Sequence, residues 1–229
     1  DSVAFGEAIE SARKAVNYLL NLVSDRLGLD HDRVLGGRYA FAAMAPLVTD
    51  MGGQIDDVKV QNDLLFWYIH AFMWGRYSGS TESVLQRDLE AMSKDGVDGL
   101  ISEMNRWRGS MEVRPEDFES WSVGSRFYPV LYMLSRVRGA RDLDTGMELK
   151  AGLLGKEPAL HVHHLFPKKR LYDADYDRTE ANAIANFSFL TASSNLSVGA
   201  THPSEYFPRL EEKNPGVLAS QWIPQDPEL

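Results

Sequence analysis

Apolar residues along the first 140 positions recur mostly at helical spacing, and the pattern then shortens into brief runs. From Val3 to Leu27 they fall at Ile9, Ala12, Val16, Leu19, Leu20, Val23 and Leu27, with Gly28 as a stop. Tyr39 to Met51 reads as a second helix, with Pro46 as a kink or start, closed by Gly52-Gly53. Asp56 or Asp57 caps a third, which carries Leu64, Leu65, Trp67, Tyr68, Ala71 and Phe72. Ser80 or Thr81 caps a fourth with Val84, Leu85, Leu89 and Met92 on one face. A short helix is expected around Val97 to Arg106, and another from Val123 to Arg138 with Pro129 as an interruption. At the usual roughly 10–14 residues per helix, this amounts to a bundle of about half a dozen.

Gly, Asp, Thr and Pro punctuate the segment from Gly139 to Pro158. The expected division is a helical domain over 1–140 and a smaller module over 141–229. In the second part a short apolar stretch ends in His163-His164 and reads as a strand. Ala185 to Leu190 reads as a second strand. Thr191 to Leu196 begins a short helix, and Pro203 starts another with Tyr206, Phe207 and Leu210 as anchors. The Pro-rich tail from Asn214 is expected to run over the surface. The fold class expected is therefore mainly α, a helical bundle carrying a small C-terminal ββα module.

The 229-residue chain is 44% hydrophobic and 25% charged, as in ordinary soluble proteins. No apolar run reaches the roughly 20 residues that span a bilayer. The acidic first residues argue against a signal peptide, and a start at Asp rather than Met suggests a piece of something longer. The absence of Cys excludes disulfides, thiolate zinc sites and Cys nucleophiles, and it fits a reducing, cytoplasmic setting. A net charge of −9 runs against nucleic-acid binding, which usually shows a basic surface. From His161 onward six Lys and Arg face nine acids, but Lys168-Lys169-Arg170 follows the His pair directly. An isolated piece of this kind should hold DNA weakly and without sequence preference.

The chemistry concentrates in His161-Val162-His163-His164-Leu165-Phe166-Pro167, then Asn186, then Asn195. Neighbouring residues on a strand point to opposite sides, so the two imidazoles cannot share one ion through one face. One can ligate while the other faces an attacking water. Asn195 offers a carbonyl oxygen to close the metal site. Neutral His and amide oxygen leave most of the coordination sphere to water and phosphate, which suits Mg²⁺; Mn²⁺ also fits, and imidazole admits Ni²⁺ or Zn²⁺.

These segments resemble the HNH (His-Me finger, ββα-metal) endonucleases, and more narrowly the C-terminal region of GmrSD-type and SspE-type restriction proteins. The matching stretches are Val162 to Pro167, Ile184 to Thr191, Ser194-Asn195 and Pro203 to Tyr206, with nine positions from Asn186 to Asn195. The resemblance is strong over Leu160 to Phe207 and loose before it, where Trp67-Tyr68 and Gly75 to Ser80 are similar to the region that precedes HNH in such proteins. It implies that His163 and Asn195 hold the metal, that His164 is the general base, and that Asn186 braces the loop and helps orient the base. It further implies a metal-dependent DNA endonuclease acting on double-stranded DNA, the effector part of a restriction or antiviral defence system. Such proteins pair this part with an N-terminal ParB-like nucleotide-hydrolysing domain, and oligomers are compatible with it. The reaction would be hydrolysis to a 5′-phosphate and a 3′-hydroxyl. Members often carry Asn and Lys before the final Pro; Val198-Gly199-Ala200-Thr201-His202 stands here instead, and His202 is the candidate replacement as a DNA contact beside Lys168, Lys169 and Arg170.

Competing readings remain at this level. A catalytically inactive DNA-binding or regulatory module with the same fold fits the acidic charge. A structural zinc protein could use His161, which shares a strand face with His163. His31 and His70 have no constellation around them and default to core or surface roles. Trp67, Tyr68, Phe72 and Trp74 suit a base-stacking platform or, at helical spacing, a core. Gly75 to Ser80 lacks the Gly-Lys-Ser/Thr ending of a P-loop and reads as a turn.

Overall fold

The computed structural model describes residues 2–118, 128–150 and 160–224. The chain divides into two compact units, Asp1–Val113 and Arg114–Leu229. No helix among the described residues is long and apolar enough to cross a membrane.

The first unit packs four helices: α1 (Ser2–Leu27), α2 (Arg38–Asp50), α3 (Val58–Met73) and α4 (Thr81–Arg108). In α1 the buried side chains Ala15, Leu19, Leu22, Val23 and Leu27 make one stripe. The Asp57 carboxylate caps α3 by accepting from the Lys59 and Val60 N–H groups. Trp67 and Tyr68 are fully buried and Phe72 nearly so, which places these aromatics in the core rather than on a stacking surface. The Tyr68 hydroxyl donates to the Gly36 carbonyl at 2.8 Å. Gly37 has φ 60°, and a Cβ there would stand 2.8 Å from the Phe72 Cβ, so only glycine lets α2 start this close to α3. The two helices expected around Val84 and Val97 form one element kinked at Gly96, where φ 60° and ψ −141° break the ladder. The Gly75 to Ser80 turn is fastened to α4 by a buried carboxylate. Asp88 accepts from Arg76 Nε and from the Tyr77 hydroxyl, both at 2.7 Å.

The second unit carries α5 (Tyr128–Val137), β1 (His161–His164), α6 (Lys168–Asp173), α7 (Arg178–Ala181), β2 (Phe187–Leu190), α8 (Ala192–Val198), α9 (Pro203–Lys213) and α10 (Val217–Ser220). The strands pair antiparallel in register His161↔Leu190 through His164↔Phe187. Helix α8 packs on both strands. Leu165, Leu190, Val198, Tyr206, Phe207 and Leu210 belong to one core cluster. Beyond the sheet, the Phe189 ring meets Tyr128 and Tyr132 of α5 edge-on at 5.4 and 5.2 Å. Helix α5 therefore belongs to the unit that holds the strands, so division by packing falls at 113/114 where the sequence pattern suggested 140/141.

Other differences from the sequence pattern have local causes. Among the described residues α5 runs from Tyr128 through Pro129 to Val137 without a break. The expected helix start at Val123, part of the punctuated segment before Pro158 and the last residues of the tail lie outside the described residues. Strand β2 begins at Phe187, after a single 3₁₀ turn over Ile184–Asn186. The connection between the strands is not a plain loop but holds α6 and α7. The described part of the tail does not run over the surface. Val217, Leu218 and Ile223 are 0, 1 and 5% exposed, because α10 turns them back into the core. The Gln221 side chain completes this return: its amide oxygen accepts from the Phe189 N–H at 3.2 Å, and its nitrogen donates to the Phe189 and Arg141 carbonyls at 3.0 and 2.7 Å.

Candidate functional site

The site is built where β1 ends. His163 and His164 diverge as strand alternation requires. The buried His163 ring turns toward α8 and α9. Its Nδ1 lies 3.0 Å from Asn195 Oδ1, and its Nε2 lies 3.5 Å from the Tyr206 hydroxyl. That hydroxyl donates to the Leu165 carbonyl at 3.0 Å, which ties α9 to the strand end. The half-buried His164 ring turns the other way. Its Nε2 is 3.3 Å from Asn182 Oδ1, and its ring meets Phe187 edge-on at 4.7 Å.

Asn186 holds the loop that follows the pair. Its Oδ1 accepts from the Phe166 N–H at 2.7 Å, and its Nδ2 donates to the Phe166 and Ala181 carbonyls at 3.1 and 3.0 Å. Three backbone groups of two segments are thereby satisfied by one buried side chain. Asn186→Ala is expected to lower stability by about 2 kcal/mol, since those groups lose their partner in a largely dry place. Urea unfolding of the variant measures it.

Helix α8 carries Asn195 and is held at its start by Asp142. The Asp142 carboxylate is fully buried. It accepts from the Thr191 N–H at 2.8 Å and the Thr191 hydroxyl at 3.0 Å, and also from the Ser194 hydroxyl. The Thr145 N–H and hydroxyl supply two more bonds at 2.9 Å each. Burial raises the Asp142 pKa, but the bonds from Ser194, Thr145 and Thr191 outweigh it and hold the carboxyl below its ordinary value.

Both imidazoles are pushed toward the neutral form. Burial lowers the pKa of His163 against the opposing bond to Asn195. Burial also lowers that of His164, helped by the charge of Lys168 and opposed by the bond to Asn182. A neutral ring is what either a metal ligand or a proton acceptor must be.

Lys168 opens α6 close enough to bear on His164; Lys169 and Arg170 follow it with exposed side chains. His202 caps α9. Its Nδ1 accepts from the Ser204 N–H at 3.3 Å and pairs with the Ser204 hydroxyl at 2.7 Å, while its ring meets Phe166 edge-on at 5.7 Å. His161 is exposed, and no group of three or more His, Cys, Asp or Glu able to hold a metal occurs among the described residues. His70 is buried and accepts from Trp74 Nε1 at 3.1 Å.

Three residues of this site carry no role in the sequence reading. Tyr206 was legible only as an apolar anchor. Asp142 has no local signature. Asn182 closes α7, and that helix did have one: Asp177-Arg178-Thr179-Glu180 forms a capping box, with Asp177 accepting from Thr179 and Glu180 and the Glu180 side chain returning to the Asp177 N–H.

His163 and Asn195 suit one small divalent cation. They bring one imidazole nitrogen and one amide oxygen together at 3.0 Å, in hydrogen-bond contact, and these are the donor types that such an ion would take. Searches among protein-family models, curated proteins and solved structures give no match to this chain.

Proposed function

We propose that the second unit is a metal-dependent DNA endonuclease of the HNH type, the effector part of a restriction or antiviral defence protein. The observation that carries the reading is the convergence of His163 Nδ1 and Asn195 Oδ1 at 3.0 Å, with the adjacent His164 turned to a different set of partners. His163 and Asn195 would hold Mg²⁺ or Mn²⁺, and water and phosphate would complete its coordination. The bound ion would supply stabilisation of charge on the phosphoryl oxygens. As a ligand, His163 keeps its proton on Nε2, facing the Tyr206 hydroxyl oxygen. His164 takes a proton from water. That oxygen bonds to phosphorus as the P–O3′ bond breaks; the leaving 3′ oxygen takes a proton from solvent and His164 returns its proton to solvent, leaving a 5′-phosphate and a 3′-hydroxyl. Lys168, Lys169 and Arg170, together with the Nε2–H of His202, supply contacts to the DNA phosphates. A nucleotide-hydrolysing sensor domain of the ParB-like kind is the partner this reading expects.

Conversion of supercoiled to open-circular plasmid with Mg²⁺ or Mn²⁺ tests the proposal. Asn195→Ala is expected to raise the metal concentration for half-maximal nicking at least about tenfold. An unchanged metal requirement removes Asn195 from the metal site. The second reading, an inactive DNA-binding module, draws support from the net charge of −9 and from the use of His202 Nδ1 as a helix cap. DNA binding without any nicking under either metal would favour it.

A further inference from the structure

We propose that Asn182 is a positioning residue that fixes His164 as its Nε2–H tautomer and leaves the ring's lone pair on Nδ1. The inference rests on the reading of His164 as the general base, but the geometry behind it is independent of any cleavage.

The orientation of the Asn182 amide is set by its other end. Its nitrogen donates to the Arg178 carbonyl at 2.6 Å, a contact only N–H can make with an oxygen acceptor. The amide oxygen is therefore the atom that faces His164 Nε2 at 3.3 Å. An amide oxygen only accepts. A lone pair on Nε2 would face a lone pair on Oδ1, so Nε2 must carry the proton. Asn182 is 7% exposed, so water competes little for that oxygen. The backbone under it is also held: the Asn182 N–H bonds to the Arg178 and Thr179 carbonyls as α7 closes, and α7 is started by the Asp177–Glu180 capping box. Phe187 limits rotation of the His164 ring from its flank. Among the described residues Nδ1 of His164 has no hydrogen-bond partner, so its lone pair is the one available to water.

The consequence is a division of the site between two elements. The strand brings His164 to its place, and the short helix α7, which the sequence pattern did not reveal, decides which nitrogen is basic. The free imidazole already favours Nε2–H modestly. The quantity to read is thus the residual population of the other tautomer, not its mere existence.

The test uses the full chain with ¹⁵N-labelled histidine at alkaline pH, where the rings are neutral. His164→Gln identifies the His164 signals. In the wild type, Nε2 of His164 should lie at the protonated shift limit and Nδ1 at the unprotonated limit. In Asn182→Ala both should move inward toward the average of two exchanging tautomers. Nicking should fall on the order of tenfold with the half-saturating metal concentration unchanged. Wild-type shifts that already show a tautomer mixture or an Nδ1–H form overturn the proposal without any variant, even if Asn182→Ala fails to fold. So does an Asn182→Ala spectrum identical to the wild type. Limiting shifts in a chain that nicks no plasmid would leave the tautomer assignment standing and remove the nuclease reading instead.

Discussion

His164→Ala should abolish measurable plasmid nicking while leaving DNA affinity nearly unchanged. Loss of a positioned general base typically costs about 10²–10⁴ in rate. Among the described residues the ring is held by one bond to Asn182 and one edge contact with Phe187, and it feels the charge of Lys168. It is half-buried, so truncation leaves a shallow gap that water can fill. Metal binding should survive, because His163 and Asn195 point elsewhere. The measurement pairs a nicking time course in Mg²⁺ with fluorescence anisotropy on a labelled duplex. Equal cutting by variant and wild type would sink the assignment. A parallel loss of affinity would instead mean that His164 grips DNA rather than activates water.

Asp142→Ala is the substitution expected to damage the fold of the second unit most. The Thr191 N–H is buried and has this carboxylate as its acceptor, and a backbone group cannot turn away. The Thr191 and Ser194 hydroxyls lose the same partner. At about 1–3 kcal/mol for an unsatisfied buried polar group, the total comes to about 2–4 kcal/mol once the hydroxyls re-aim. Because these groups open α8, Asn195 should shift with them, and nicking should fall even under conditions where the variant is folded. Asp142→Asn removes the titrating group, although its amide nitrogen must then face the N–H of either Thr145 or Thr191. The carboxyl titrates lower in the folded chain than in the unfolded one. Its stabilisation is therefore fully present above the ordinary carboxylate range, near pH 4, and is lost as pH falls through the depressed folded value. Urea midpoints measured across the acid range should fall less steeply for Asp142→Asn than for the wild type. Identical slopes would show that the carboxyl titrates alike in the folded and unfolded chain, against a lowered folded pKa.

The contrast between these residues shows what a single sequence can carry. Strand alternation is a short-range fact, and from it the sequence sets His163 and His164 on opposite sides, whereas Asn186 and the roles of all four residues with Asn195 rest on the HNH resemblance. The two rings do take different partners, and Asn186 does brace the Phe166 loop. Asp142 was not legible, since it lies 49 positions before Thr191 in a stretch whose residue types read only as punctuation. Asn182 lay within reach of the sequence, because Asp177 and Glu180 spell a capping box at the start of its helix. The tail misled through composition. Its Pro residues suggested an excursion, yet Val217 and Leu218 are the side chains that matter, and Gly216 at φ 79° turns them inward. Helices were read well where one apolar stripe faced one core, as in α1 and α3. The two helices expected around Val84 and Val97 are the two arms of α4, and Gly96 at φ 60° and ψ −141° is the non-helical break between them.

Gln221 gives this unit a property that its catalytic reading does not require. A two-stranded ribbon leaves each strand with a free flank, and such a flank recruits backbone from other molecules. At Phe189 both the amide and the carbonyl are already occupied by the Gln221 carboxamide, which imitates the backbone of an additional strand. The outer flank of β2 is thereby closed at its centre by a single side chain. Another strand cannot pair with the ribbon at Phe189 without first displacing the Gln221 side chain.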